Sequence, residues 1–312
     1  MFKDISPILK KGEKFIILPH KNADGDCLGS AFALKLMLEH LGKHAVVVPE
    51  EDNPLICSLL YGTKQAKMPQ FDIVIAVDCG DIFRLGSRAE IFEQCAETIN
   101  IDHHNTNTRF AKYNCINENA AATGEIIFHL AEYMKIPLTK QIANNLYVAI
   151  SSDTGCFSFS STTANTYRIA ASLVETGINH AHINEVLFEK KSKPKIMIMR
   201  DAFNSFKTYC EGKVAIVSVT KEQILKAGVS EEEAGGLINI PRSLETALVA
   251  VSLRESVHDN NVKVGFRSNT VNVAKIAAKL GGGGHIKASG CTIEGDIESA
   301  KKIVLDEIKK AL

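Results

Sequence analysis

Along the first hundred residues, short apolar runs alternate with stretches whose apolar residues recur every three or four positions. Residues 15–18, 45–48, 73–77 and 98–101 are rich in Ile, Val, Phe and Thr and lack a polar alternation strong enough to leave one face wet. Such runs predict strands buried on both faces. Residues 28–41 have helical spacing and stop at Gly42, since glycine is favoured just past a helix end. Another helical stretch is expected around 87–95. Strands separated by helices imply a parallel sheet covered on both sides. Residues 123–134 and 140–151 then read as consecutive helices. Ser161, Thr162 and Thr163 offer N-caps for a helix to about residue 175, with Gly177 beyond its end.

The pattern changes near residues 189–195, a basic and polar segment that contains Pro194 and leads into a helical stretch ending near 206. This is the candidate linker. Beyond it, 214–219 predicts a strand, and Thr220, Lys221 and Glu222 open a short helix. Strands are expected at 246–253 and 262–267, joined by the hairpin-like His258, Asp259, Asn260 and Asn261. Residues 271–280 are helical in pattern, 291–293 form another strand, and 297–312 an amphipathic helix. The halves share no sequence repeat. The expected fold class is α/β: an N-terminal, doubly wound, mostly parallel sheet joined by a helical linker to a smaller C-terminal α/β domain with a mixed sheet. The expected bounds are 1–188, 189–207 and 208–312.

Composition narrows the partners. The 312 residues are 45% apolar, enough for two domains with substantial cores, and 36 basic residues cancel 36 acidic ones. No net positive field is available to hold long duplex nucleic acid, whereas a short, multiply charged ligand in a local pocket is compatible. Eight cysteines are scattered without a C-x-x-C pair. That argues against a zinc ribbon or a disulfide scaffold and for reduced thiols in the cytoplasm. No signal peptide and no membrane span are expected, because no apolar run is long enough.

The chemistry is concentrated at strand ends. The first run leads into His20, Asp24 and Asp26, the third into Asp78, and the fourth into Asp102, His103 and His104. Ligands of open α/β sheets sit beyond the carboxyl ends of the strands. Each residue alone has a plainer reading: Asp24 or Asp26 as helix caps, a lone histidine as structural, and Asp153 in Ser-Ser-Asp-Thr-Gly as a turn residue. Their coincidence favours one metal site. Carboxylates with imidazoles suit Mn²⁺ or Mg²⁺, with Mn²⁺ favoured by the histidines. So many negative charges call for two divalent ions about 3.5–4 Å apart, bridged by a carboxylate, an arrangement that hydrolyses phosphoesters.

In the second half, Gly281, Gly282, Gly283 and Gly284 precede His285, and Ala288, Ser289 and Gly290 keep the neighbourhood small. The run reads as a flexible turn or as a loop whose N–H groups approach a phosphate or ribose. Arg254 and Arg267 end the two hairpin strands and read as solvated cations or as phosphate clamps.

Together these residues resemble the DHH phosphoesterase superfamily. The matching motifs are His20-Lys21-Asn22-Ala23-Asp24-Gly25-Asp26 with Gly29-Ser30, Val77-Asp78-Cys79, Asp102-His103-His104, and Ser152-Asp153-Thr154-Gly155. The glycine run with His285 and Ala288-Ser289-Gly290 is similar to the DHHA1 signature, so the resemblance covers nearly the whole chain. It implies that His20, Asp24 and Asp78 hold one ion, and that Asp26, Asp78, His103 and Asp153 hold the second, with Asp78 bridging. It implies that Asp102 orients an imidazole and that His104 faces the substrate phosphate. Gly282, Gly283, Gly284, His285, Ser289, Arg254 and Arg267 would bind substrate, across a cleft between the two domains.

A two-domain chain of this length is similar, within the superfamily, to the bacterial oligoribonucleases and 3′-phosphoadenosine 5′-phosphate (PAP) phosphatases. The implied activity is hydrolysis of short RNA oligonucleotides to mononucleotides and of nucleotide phosphates such as PAP, in a homodimer. A phosphodiesterase for cyclic or linear dinucleotides is the alternative, and a nucleotide sensor without catalysis a weaker one. Cys27, Cys79 and Cys156 stand beside proposed ligands and are expected to be packing residues.

Overall fold

In a parallel sheet with helices on both faces, alternate residues of one strand enter different cores. The computed structural model, which describes residues 1–64, 70–229 and 234–312, shows this in the first of its two units, Met1–Lys190. Strands β1 (Lys14–Pro19), β2 (His44–Val47), β3 (Ile73–Val77), β4 (Thr98–Asp102) and β5 (Tyr113–Ile116) are all parallel, in the order β2-β1-β3-β4-β5. Phe15, Ile17, Ile75 and Ile101 join a core with the helices Gly25–His40, Thr123–Met134 and Lys140–Asp153. Ile16, Leu18, Val74 and Ala76 join a smaller core under Ile82–Arg88 and Ala89–Glu93. That double burial is why the runs read as continuously apolar.

The strand order places the topological switch between β1 and β3. Connections leave the sheet in opposite directions there, and a crevice opens beyond the carboxyl ends of the strands. β5 is an addition to the expected set. It is an edge strand in which only Cys115 is buried, so its sequence carries almost no hydrophobic signal.

The helix Gly25–His40 is buried along most of its length, and it crosses Lys140–Asp153 at Gly29. A Cβ on Gly29 would lie 2.6 Å from the Asn145 carbonyl oxygen and 2.9 Å from the Ala149 nitrogen. Only hydrogen fits between the two backbones. Gly29→Ala is therefore expected to lower the urea midpoint. Overpacking costs about 1–3 kcal/mol, which outweighs the roughly 1 kcal/mol gain in helix propensity. An unchanged or higher midpoint would show that the helices separate without penalty.

The second unit, Lys191–Leu312, has a six-stranded mixed sheet. Its strands are β6 (Lys207–Tyr209), β7 (Val214–Val219), β8 (Val249–Glu255), β9 (Asn261–Arg267), β10 (Gly283–His285) and β11 (Ala288–Glu294), in the order β10-β11-β9-β8-β7-β6. β7 and β8 are parallel, and the other pairs are antiparallel. Helices Val273–Lys279 and Ile297–Lys309 cover one face. On the other, Lys193–Asn204 inserts Ile198 and Ala202 beside Val217 and Val219. The helix expected within the linker is thus part of this unit's core. Among the described residues, no helix is long and apolar enough to cross a membrane.

Candidate metal centre

The three strands whose ends carry the candidate ligands are adjacent. β1 delivers His20, β3 delivers Asp78, and β4 ends in Asp102 and runs into His103 and His104. Asp26 comes from the first turn of Gly25–His40, and Asp153 from the last residue of Lys140–Asp153. Asp78 adopts φ 58°, a left-handed conformation that turns the chain off β3 while its N–H still donates to the Ile101 carbonyl. Aspartate tolerates that region better than most residues.

Two imidazoles are oriented in the same way. His20 Nδ1 lies 2.7 Å from the Lys21 carbonyl oxygen and His103 Nδ1 lies 3.2 Å from that of Ala120. A carbonyl only accepts, so each Nδ1 carries the proton and each Nε2 turns its lone pair to the carboxylates. His20 Nε2 is 3.6 Å from Asp78 Oδ2. His103 Nε2 is 3.4 Å from Asp153 Oδ2, 3.6 Å from Asp78 Oδ1 and 3.9 Å from Asp26 Oδ2. These gaps are too long for hydrogen bonds. They approach the separation of about 3.0–3.5 Å between neighbouring ligands of one ion with bonds of about 2.0–2.2 Å. Lone pairs converging from both sides suit a cation between them, and the carbonyl bonds are the outer contacts that metal-binding histidines use.

The charges are consistent with that fit. Burial first, then the charges of Asp78, Asp153 and Asp24, push the Asp26 carboxyl well above the usual range. Burial raises Asp153 to about 6, with His103 opposing and Asp78 and Asp24 adding to it. Asp153 also sits at a helix C-terminus, where negative charge is disfavoured. Burial would raise Asp78 too, but the facing imidazoles of His20, His103 and His104 hold it below the usual range.

Among the described residues, three sets of donors each lie within 4.8 Å of one another: His20, Cys27 and Asp78; Asp78, His103 and His104; and Asp26, His103 and Asp153. Cys27 is committed elsewhere. Its thiol donates to the Val77 carbonyl and accepts from the His20 N–H, and burial pushes its pKa well above the usual value. Cys79 is buried and raised to about 12 by desolvation, whereas Cys156 is exposed. Asp24 belongs to none of the three sets. It is exposed and caps the Gly25–His40 helix, its Oδ1 accepting from the Cys27 N–H at 3.1 Å.

Asp102 is fully buried and bonds His104 Nδ1 at 2.7 Å, while its other oxygen accepts from Asn107. The imidazole that it orients is thus His104 and not one of the two facing the carboxylates. The hydrogen bond to Asp102 is the main reason that His104 is raised to about 9, against the opposing effect of burial.

In the second unit, a cavity of about 230 Å³ is lined by Ser218, Gly235, Gly236, Arg254, Lys263 and Arg267 among others. Arg254 and Lys263 are cross-strand partners in the β8–β9 hairpin. Burial, and then Arg242, lower the pKa of Arg267, so an anion there would be favoured. Lys263 was missed in the sequence, although the hairpin register that pairs it with Arg254 is the signal that finds it.

The glycine run is partly a strand. A Cβ on Gly282 would lie 2.2 Å from the Gly290 oxygen, and one on Gly284 would lie 2.7 Å from that of Ala288, so these glycines let β10 lie against β11. Gly283 has open space beside it, and His285 is exposed at the end of β10. Ser289 pairs with Phe266 and donates to the Val273 carbonyl at 2.7 Å, on the helix-covered face. It does not line the basic cavity.

The chain matches the family model described as DHH family, N-terminal domain, over residues 14–150, and that of the DHHA1 domain over 211–312. It is 31% identical to the bifunctional oligoribonuclease and PAP phosphatase NrnA of Thermus thermophilus, over 99% of this chain and 93% of that protein. It is 28% identical to the protein of the same name from Mycoplasma pneumoniae, over 90% of this chain and 88% of that one. An exopolyphosphatase-related protein from Bacteroides fragilis shares the fold, with a TM-score of 0.90 at 24% identity over 99% of this chain and 95% of that one. Strand ends, donor set and whole-length similarity agree: the chain belongs to the DHH–DHHA1 family that includes the bifunctional oligoribonuclease and PAP phosphatase NrnA.

Proposed function

We propose that this protein is a divalent-metal-dependent phosphoesterase that hydrolyses short RNA oligonucleotides to mononucleotides and PAP to AMP. The observation that carries the reading is the split of Asp78, with Oδ2 facing His20 and Oδ1 facing His103. Each oxygen belongs to a different cluster of donors, as a bridging carboxylate requires. His20 and Asp78 would hold one ion, and Asp78, Asp26, His103 and Asp153 the other. Asp24 is assigned to the first ion by the resemblance, and its charge is already felt at His20. The ions, once bound, would bind a phosphoryl oxygen and supply hydroxide near neutral pH. Manganese is the proposed metal, on the strength of the imidazoles.

The protein's own groups do the rest. The carboxylates and the two imidazoles fix the nucleophile's position. His104, kept protonated by Asp102, donates to the phosphate or to the leaving oxygen. Arg254, Arg267 and His285, with the N–H groups of the glycine strand, bind the phosphates of a short substrate. With no net charge on the chain to track a polymer, affinity resides in those few contacts. The proposed setting is a cytoplasmic homodimer, which sedimentation at micromolar concentration checks.

Kinetics measured in parallel on a linear diribonucleotide, a cyclic dinucleotide and PAP test the assignment. The linear dinucleotide and PAP are expected to be turned over best. Preference for the cyclic compound would replace this reading with that of a cyclic-dinucleotide phosphodiesterase, and cleavage of none would end it. In the same assay Arg254→Ala is expected to raise KM about 10–100-fold, because a charge-assisted hydrogen bond contributes about 1.5–3 kcal/mol, while kcat changes little.

A further inference from the structure

Helix Thr123–Met134 begins without a cap of its own. Its N-cap residue is Ala122, which has no side-chain oxygen to offer the first N–H groups. Those groups are satisfied from another helix. The Thr123 N–H donates to Asp26 Oδ2 at 2.7 Å, and the Gly124 N–H donates to Asp26 Oδ1 at 3.0 Å. Asp26 thus serves as this helix's cap, with the positive end of the helix dipole behind it. The Thr123 hydroxyl makes a separate contact, donating to Asp78 Oδ1 at 2.8 Å. Thr123 is fully buried, so water cannot replace it at either carboxylate.

The oxygens chosen are informative. Asp78 Oδ1 and Asp26 Oδ2 are the two that face His103 Nε2, at 3.6 and 3.9 Å. We infer that Thr123 is the positioning residue of the metal centre: among the described residues it alone hydrogen-bonds both carboxylates, its hydroxyl turning Asp78 so that each oxygen meets its own imidazole, and its amide holding Asp26 Oδ2 beside His103 while the Gly124 N–H and the Ser30 hydroxyl hold Asp26 Oδ1. The amide contact survives any substitution except proline. The hydroxyl is therefore the part that mutation isolates.

The inference rests on the proposed metal reading, and metal binding tests it without turnover. Mn²⁺ is titrated into the metal-free full chain by calorimetry, and the pair is followed by electron paramagnetic resonance, for the wild type, Thr123→Val and Thr123→Ser. Valine keeps the shape and removes the donor, whereas serine keeps the donor and removes a methyl group. Loss of an outer contact of this kind typically weakens metal binding about 10–100-fold. That loss is expected for Thr123→Val, together with the signal of two coupled ions, and Thr123→Ser is expected to recover most of both. Wild-type affinity and signal in the valine variant would overturn the inference. So would equal losses in valine and serine, which would trace the effect to packing. If Thr123→Val does not fold, Thr123→Ala against Thr123→Ser makes the same comparison. A wild type that binds no Mn²⁺ would instead refute the metal reading beneath it.

Discussion

Asp78→Asn is expected to reduce turnover of every substrate by at least about a thousandfold, at or beyond the upper end of the range seen for a single oxyanion donor. Asparagine has nearly the same shape, retains one oxygen and tolerates the left-handed backbone that Asp78 adopts at φ 58°. What it lacks is the charge and one of the two oxygens. Since Oδ1 and Oδ2 face different imidazoles, one cluster loses its ligand outright and the other keeps only a neutral amide oxygen. Asp78→Ala should lose as much activity, with an added stability cost, because alanine lacks the short polar side chain whose local hydrogen bonds offset the roughly 1–2 kcal/mol that a Cβ residue pays in that conformation. Single-turnover rates at saturating Mn²⁺ measure the first effect, and urea unfolding measures the second. Activity close to wild type in Asp78→Asn would refute the two-metal reading.

The second large effect concerns the protein without metal. Asp153 has a raised pKa, about 6, in the folded state. Below its unfolded value, near 3.9, both states are protonated and its contribution to stability is fully present. As pH rises through about 6 the folded chain must ionise a buried acid, so that contribution is lost. Asp26, raised by burial and by the same neighbours, acts in the same direction. The melting temperature of the metal-free protein should therefore fall as pH increases from about 4 to beyond 6. Asp78, whose pKa is lowered, loses its contribution only at more acidic pH. Divalent ions reverse the sign, because they bind the ionised carboxylates and displace protons. Saturating Mn²⁺ is expected to raise the melting temperature by several degrees more at pH 7.5 than at pH 5, and Asp153→Asn should shrink that difference. Scanning calorimetry with and without chelator checks both, and an equal shift at the two pH values would contradict this account.

What could be read from the sequence divides along physical lines. β1, β3 and β4 were legible because both faces of each strand are buried, and the donors beyond them because strand ends converge in a parallel sheet. β5 was not, since an edge strand needs little hydrophobicity. β10 was hidden because glycines that approach β11 closely look, as letters, like a loop. Asp102 precedes two histidines, and nothing in the spacing says which one it bonds. Asp24 read as a helix cap on its own and as a ligand by the resemblance; in the fold one of its oxygens caps the helix. Ser289 illustrates the parity of strands: a shift of one residue moves a side chain from the arginine face to the helix face. Thr123 lacked any sequence signal, because a cap supplied by a distant aspartate leaves no local motif.

The order of the ligands along the chain has a consequence for biosynthesis. His20 emerges early, but Asp153 closes a helix that comes only after all five strands of the sheet. A parallel sheet is dominated by non-local pairings, which form slowly, and domains fold as units when synthesis has released them. A nascent chain that has exposed only β1 and β3 carries His20 and Asp78 and lacks His103 and Asp153. If the proposed two-metal reading holds, high-affinity capture of the second ion has to wait until the chain past Asp153 is made and the five-stranded sheet has formed, so metal loading would report that step of translation and folding.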